Sequence, residues 1–180
     1  DRIDLWQIHR PDVLTHPQEI ARTIEDAHKA GKIRAFGVSN FTQAQITALA
    51  QFSAVPIVST QPELSPLRID TIENGELDQA IAMDLAVMAW SPLGGGRIGE
   101  PQNVREQNVA AALSGVAAAH NVSRTAAAYS WIMAHPARPI PIVGSQNPAR
   151  IIEAADAFKI QWTRADWYSV LVAARGVPLP

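Results

Sequence analysis

Short apolar runs at residues 3–8, 33–38, 57–60, 86–90 and 140–143 alternate with longer stretches of helical period at 17–30, 42–51, 75–83, 104–120, 124–134 and 148–157. The runs are of strand length and continuously apolar, the pattern of parallel strands covered on both faces. Local punctuation agrees with the helices. The stretch at 17–30 opens on Pro17 and closes on Gly31; that at 124–134 opens on Ser123 and stops before Pro136. The expected class is therefore α/β, as a barrel or an open sheet, with residues 1–180 as a single domain. There is no internal repeat, low-complexity segment or flexible linker, and the glycine-rich "PLGGGRIGEPQN" reads as a loop inside the domain.

With 180 residues, 47% of them hydrophobic and 18% charged, the chain has enough apolar surface for a real core and is not disordered. A net charge of -2 and scattered basic residues give no electrostatic reason to bind nucleic acid or an anionic membrane. A small molecule is the expected partner. The absence of cysteine excludes disulfides and thiolate metal sites, and no metal site is expected. The first residues, "DRIDLWQIHR", lack the apolar segment of a signal peptide, and no run of some 18 apolar residues occurs, so the expected location is cytoplasmic.

In folds of this class ligands gather at the carboxyl ends of the strands. The residues there are His9, Ser39 with Asn40, Gln61, Trp90 with Ser91, and Gly144 with Ser145, while the strand interiors read as apolar. Imidazole, amide and hydroxyl groups are thus expected to converge on one face.

The phrases "DLWQIHRPD", "GKIRAFGVSNF", "MAWSPLGGGRI" and "IPIVGSQNPARI" resemble the aldo-keto reductase family, in the family's order and at successive strand ends, from the first residue to about Trp167. The likeness is greatest to the branch with "LIHRPD" and "AWSPLGGG" patterns. It implies an eight-stranded (β/α)8 barrel of TIM type, here its last five strands and their helices, that uses NADPH to reduce an aldehyde or ketone to an alcohol. NADH is not excluded.

The resemblance also implies roles. His9 matches the catalytic histidine that orients the substrate carbonyl, and an imidazole can polarise that oxygen or donate to the developing alkoxide. A half-buried structural histidine is the plain alternative. Ser39, Asn40 and Gln61 match residues that hold the nicotinamide carboxamide, which offers one acceptor and two donors. Read alone, "SNF" is a helix cap before it is a binding motif. Trp90 matches the aromatic residue that stacks on the nicotinamide ring, although tryptophan at a strand end is often simply core. Ser91, Leu93, Gly94, Gly95 and Gly96 match the loop past the pyrophosphate, where missing Cβ atoms let backbone amides approach phosphate. Gly144, Ser145, Gln146 and Arg150 match the adenosine 2′-phosphate region, and Glu153 matches an adenine contact. For Arg150 the alternative is a surface ion pair.

The chain departs from many relatives at Gly144, where lysine is common, at the uncharged Gln146 and Asn147, and at Ala154 in place of a frequent asparagine. The implied preference for NADPH weakens accordingly. The family's proton-donating tyrosine, with its lysine and aspartate, comes from strands that precede the histidine strand. Here Tyr129 and Tyr168 lie in helical patterns near the carboxyl end and are not replacements. The expectation is the carboxyl-terminal part of a longer reductase, with the acid outside these residues; a nucleotide-binding or regulatory module without catalysis is the other reading. Oligomeric state is left open.

Overall fold

The computed structural model describes residues 1–179, in two compact units, one of residues 1–62 and 74–88 and the other of residues 63–73 and 89–179. The strands are β1 (Ile3–Ile8), β2 (Ile33–Ser39), β3 (Ile57–Gln61), β4 (Ala86–Ala89) and β5 (Ile140–Pro141), hydrogen-bonded in the order β1-β2-β3-β4-β5. Pairing from β1 to β4 is parallel. Helices α1 (Pro17–Lys29), α2 (Gln43–Phe52), α3 (Asp70–Glu73) and α4 (Glu76–Ala82) precede β4. Beyond it lie α5 (Val104–Ala119), α6 (Arg124–Met133), α7 (Pro148–Ala154), a 3-10 turn (Ala155–Lys159) and α8 (Arg164–Arg175). Strand and helix alternate as the sequence pattern requires, and this is five strands of the (β/α)8 arrangement.

In the first unit the β2 residues Phe36 and Val38 have no exposed surface, and they share a buried layer with Ala21 and Ile24 of α1 and Ile46 and Leu49 of α2. Thr42 begins α2 by accepting from the Gln45 amide while the Gln45 side chain accepts from the Thr42 amide. The alternate face of the sheet is different. Register sets Gln7 of β1 beside Gly37 of β2, and Gly37 beside Ser59 of β3. A Cβ on Gly37 would stand 1.9 Å from Ser59 Oγ, 2.2 Å from Gln7 Oε1 and 2.8 Å from the Ser59 backbone oxygen. Glycine is required there because two polar side chains meet above it.

In the second unit, Val109 and Leu113 of α5 and Val170 and Leu171 of α8 are buried. Trp131 of α6 stacks on Trp167 of α8 with ring centroids 4.9 Å apart, and each indole N–H donates to the other residue's carbonyl oxygen at 3.0 Å. This satisfies both polar handles of a large apolar pair. Around Tyr168, where the sequence shows a helical pattern, α8 is started by Thr163, which accepts from the Asp166 amide, and stopped by Gly176 at φ +73°.

Several expectations are corrected. Burial on both faces fails for β1, where Ile3 is 54% exposed and Leu5 and Trp6 are each 36% exposed, because among the described residues this strand has a partner only in β2. Strand interiors are not uniformly apolar, since Gln7 and Ser59 lie inside β1 and β3. The run at 140–143 forms only Ile140–Pro141, and just past it the Ile142 amide donates to the Ala89 oxygen at 2.9 Å. Trp90 lies just past β4, in an isolated bridge to Glu63, and the stretch at 148–157 divides between α7 and the 3-10 turn.

Gly37→Ala should lower the unfolding free energy by roughly 1–3 kcal/mol, since the added methyl meets backbone as well as side chains. Urea denaturation reads this directly, and an unchanged midpoint would show that β2 and β3 shift freely to admit the methyl.

Candidate functional site

Three strand ends of the first unit are tied together by hydrogen bonds. Ser39, only 2% exposed, donates from Oγ to the Gln61 carbonyl oxygen at 2.8 Å. The next residue, Asn40, adopts φ +60°, the left-handed region that asparagine tolerates better than most residues. That conformation ends β2, and the Asn40 amide donates to the same Gln61 oxygen at 3.2 Å. Its side chain donates from Nδ2 to the His9 carbonyl oxygen and to Ser39 Oγ, each at 3.1 Å. Asn40 thereby links the ends of β1, β2 and β3. Because Thr42 caps α2, the capping alternative for "SNF" does not hold.

His9 follows β1 directly and is solvent-exposed, with its main chain held by Asn40. After it the chain turns at Asp12, whose carboxylate accepts from the Leu14 amide at 3.0 Å and from Thr15 Oγ1 at 2.9 Å. These bonds, the Leu14 amide foremost, hold the Asp12 carboxyl below its usual range. The turn presents Val13 and Leu14, 84% and 92% exposed.

Two participants escape a reading confined to strand ends. Gln7 Nε2 donates to Gln61 Oε1 at 3.1 Å, and Ser59 Oγ donates to Gln7 Oε1 at 3.0 Å. Their signal was a polar residue within each apolar run and a glycine on the strand between. His9, Ser39, Asn40 and Gln61, expected at one site, are brought together with Gln7 and Ser59 added.

The second unit carries the remaining expected residues. The Trp90 carbonyl accepts from the Leu64 amide at 3.3 Å, and Ser91 follows at φ +52°. Gly94, Gly95 and Gly96 all have positive φ. A Cβ on Gly94 would come within 2.9 Å of Leu67 Cδ1, whereas Gly95 and Gly96 face open space. The Gly94 amide donates to Ser91 at 2.8 Å and the Gly96 amide to Leu93 at 3.2 Å, so these two amides serve the loop itself.

This turn is held by a buried carboxylate. Glu106, 3% exposed, accepts from Arg97 at 2.9 Å and from the Gln102 amide at 2.7 Å, while Arg97 Nε donates to the Gly94 carbonyl at 3.0 Å. The Gln102 amide, with Arg97 beside it, keeps the Glu106 carboxyl below its usual range against the opposing effect of burial.

Gly144, Gln146 and Arg150 are exposed, and Ser145 and Glu153 are half-buried. Ser145 Oγ accepts from the Asn147 amide at 3.1 Å, and Asn147 caps α7 by accepting from the Ala149 amide at 2.9 Å. Tyr129 is buried in α6, where burial and then the Glu153 charge push its phenol upward, so it remains protonated. Among the described residues no cluster of histidine, aspartate or glutamate could hold a metal ion, and no helix is long and apolar enough to cross a membrane.

The family model described as "Aldo/keto reductase family" matches residues 1–171. The chain belongs to the aldo/keto reductase family. It is 63% identical over 180 residues to a 6-dehydroglucose reductase of Novosphingobium aromaticivorans, covering 100% of this chain and 59% of that protein. It is 36% identical to oxidoreductase YdhF of Escherichia coli, covering 100% of this chain and 60% of the relative. The solved glycerol dehydrogenase of Gluconobacter oxydans superposes with a TM-score of 0.86 at 27% identity, over 99% of this chain and 61% of that one. A thermostable aldo-keto reductase solved with the inhibitor epalrestat gives the same TM-score, 0.86, at 21% identity over 96% of this chain and 60% of its own, a likeness of fold. The chain thus spans between 59% and 61% of the length of these proteins.

Folded, the Glu106 carboxyl gives up its proton at a lower pH than it does in the unfolded chain. Its contribution to stability is therefore complete above the ordinary glutamate range and is lost as pH falls below it. Glu106→Gln should melt earlier than the parent at neutral pH, with the difference closing in acid. Thermal melts across that range check this, and a gap independent of pH would contradict it.

Proposed function

We propose that this chain belongs to an NAD(P)H-dependent carbonyl reductase, with NADPH as the favoured nucleotide and the strand ends of β1, β2 and β3 as the place where nicotinamide and carbonyl meet. The observation that carries the reading is the hydrogen-bonded cluster of His9, Ser39, Asn40 and Gln61. Two strand ends supply amide and hydroxyl groups on a fixed frame, while a third supplies an exposed imidazole.

These residues fit a nicotinamide. Its carboxamide needs a donor for its oxygen, and the Gln61 side chain, whose oxygen is turned toward Gln7, has N–H groups to give. When bound, the reduced nicotinamide supplies a hydride to the carbonyl carbon. His9 then holds a proton at the carbonyl oxygen, stabilising the charge that develops as the C=O π pair moves there. Ser39 and Asn40 fix the main chain of His9 and Gln61, so neither has to reorganise during reaction. The proton that completes the alcohol comes from a tyrosine outside these residues, in keeping with the family pattern.

In the second unit, Trp90 is proposed to stack on the nicotinamide ring, and Ser91, Leu93, Gly94 and Gly95 to pass the pyrophosphate. Gly144, Ser145, Gln146 and Arg150 would receive the 2′-phosphate and Glu153 the adenine. Arg150 suits a phosphate because its guanidinium is exposed and offers a bidentate contact. A relative 63% identical is named for reducing 6-dehydroglucose, an aldehyde at C6 of a sugar, and we place the substrate in that class. The cytoplasm is the proposed location.

His9→Ala in the intact natural protein should lower kcat by on the order of 100-fold or more while moving the nucleotide Kd little. Steady-state kinetics beside nucleotide titration separates the two, and equal losses in both would make His9 structural. Arg150→Ala should weaken NADPH about tenfold, through one charge-assisted contact, and leave NADH nearly unchanged. Parallel titrations read the ratio, and an unaltered preference would remove Arg150 from the phosphate site.

A further inference from the structure

We propose that Gln7 is a positioning residue that fixes which end of the Gln61 side-chain amide faces the ligand, so that the site reads an acceptor oxygen. The inference rests on the nucleotide reading above and adds a residue to it from the middle of a strand.

A glutamine side chain can offer a ligand either its oxygen or its nitrogen, and turning the amide over exchanges them. Gln61 is held at its main chain, where the carbonyl oxygen accepts from Ser39 Oγ and from the Asn40 amide. That contact leaves the side-chain torsions unset. Gln7 sets them: its Nε2 donates to Gln61 Oε1 at 3.1 Å, which draws the oxygen toward Gln7 and turns Gln61 Nε2 to the opposite side.

Gln7 is itself oriented by Ser59. The hydroxyl of this buried residue, 1% exposed, donates to Gln7 Oε1 at 3.0 Å. The donations run in one direction, from Ser59 to Gln7 to Gln61. Gly37 keeps the path clear, since its Cβ would stand 1.9 Å from Ser59 Oγ and 2.2 Å from Gln7 Oε1. A side chain at 37 would separate β1 from β3, and the relay would not form. What Gln61 then presents is N–H, the partner of a carboxamide oxygen.

The test uses the intact natural protein and two probes, NADPH and the 2′-phosphate of ADP-ribose, which has the same phosphates without the nicotinamide. Gln7→Leu should weaken NADPH about fivefold to tenfold and leave the second probe unchanged. Gln7→Glu should do at least as much, because a carboxylate accepts from both neighbours and draws Gln61 Nε2 toward itself. In a Gln61→Ala background the Gln7 substitutions should have no further effect. Ser59→Ala, which frees Gln7 without altering the strand, should reproduce the selective loss in weaker form.

Equal weakening of both probes by Gln7→Leu, or full NADPH affinity in Gln7→Glu, would overturn the inference while leaving the nucleotide reading intact. A parent protein that binds neither probe would overturn both. If Gln7→Leu fails to fold, the Ser59→Ala result decides in the same way.

Discussion

Ser39 holds its hydroxyl 2.8 Å from the main-chain oxygen of Gln61, and the polar face of the first unit is organised around that contact. The same oxygen takes the Asn40 amide, and the left-handed turn at Asn40 then carries its side chain to the main chain of His9. Neighbouring parallel strands already share hydrogen bonds along their length. The contacts at their ends extend the ladder past the last regular pair, where side chains needed for chemistry must stand still. Without Ser39, the half-buried Gln61 carbonyl would lose one donor and the turn one of its anchors.

The second unit secures a loop by different means. There the glycine turn spends the Gly94 and Gly96 amides on its own closure and leaves its anchoring to Arg97, which joins the Gly94 carbonyl to the buried Glu106. A carboxylate at 3% exposure is tolerable only because the Gln102 amide and the Arg97 guanidinium answer both of its oxygens. The glycines supply the backbone shape, and Gly94 also makes room for Leu67.

Much of this was legible in the residues. Pro17, Ser123 and the runs from Ile3 and Ile33 mark elements because capping and strand burial are local matters, and the ends of strands are where polar groups stand out against apolar neighbours. Gln7 and Ser59 did not stand out. Each is one polar residue within a run, and its meaning appears only when register brings β1 and β3 to either side of Gly37. The exposure of Ile3, Leu5 and Trp6 was hidden for a related reason, since burial belongs to a strand's neighbours and not to its composition. Likewise no spacing announces that the Gly94 and Gly96 amides point inward.

The proposed role of the first unit's strand ends is to hold the nicotinamide carboxamide. It is tested most directly by following the side-chain amide resonances of Gln61 and Gln7 by NMR during titration of the intact natural protein with NADPH and, separately, with a nucleotide lacking nicotinamide. Both amide pairs should shift with NADPH and stay in place with the other ligand. Saturation with NADPH that leaves the Gln61 amide unmoved would contradict it.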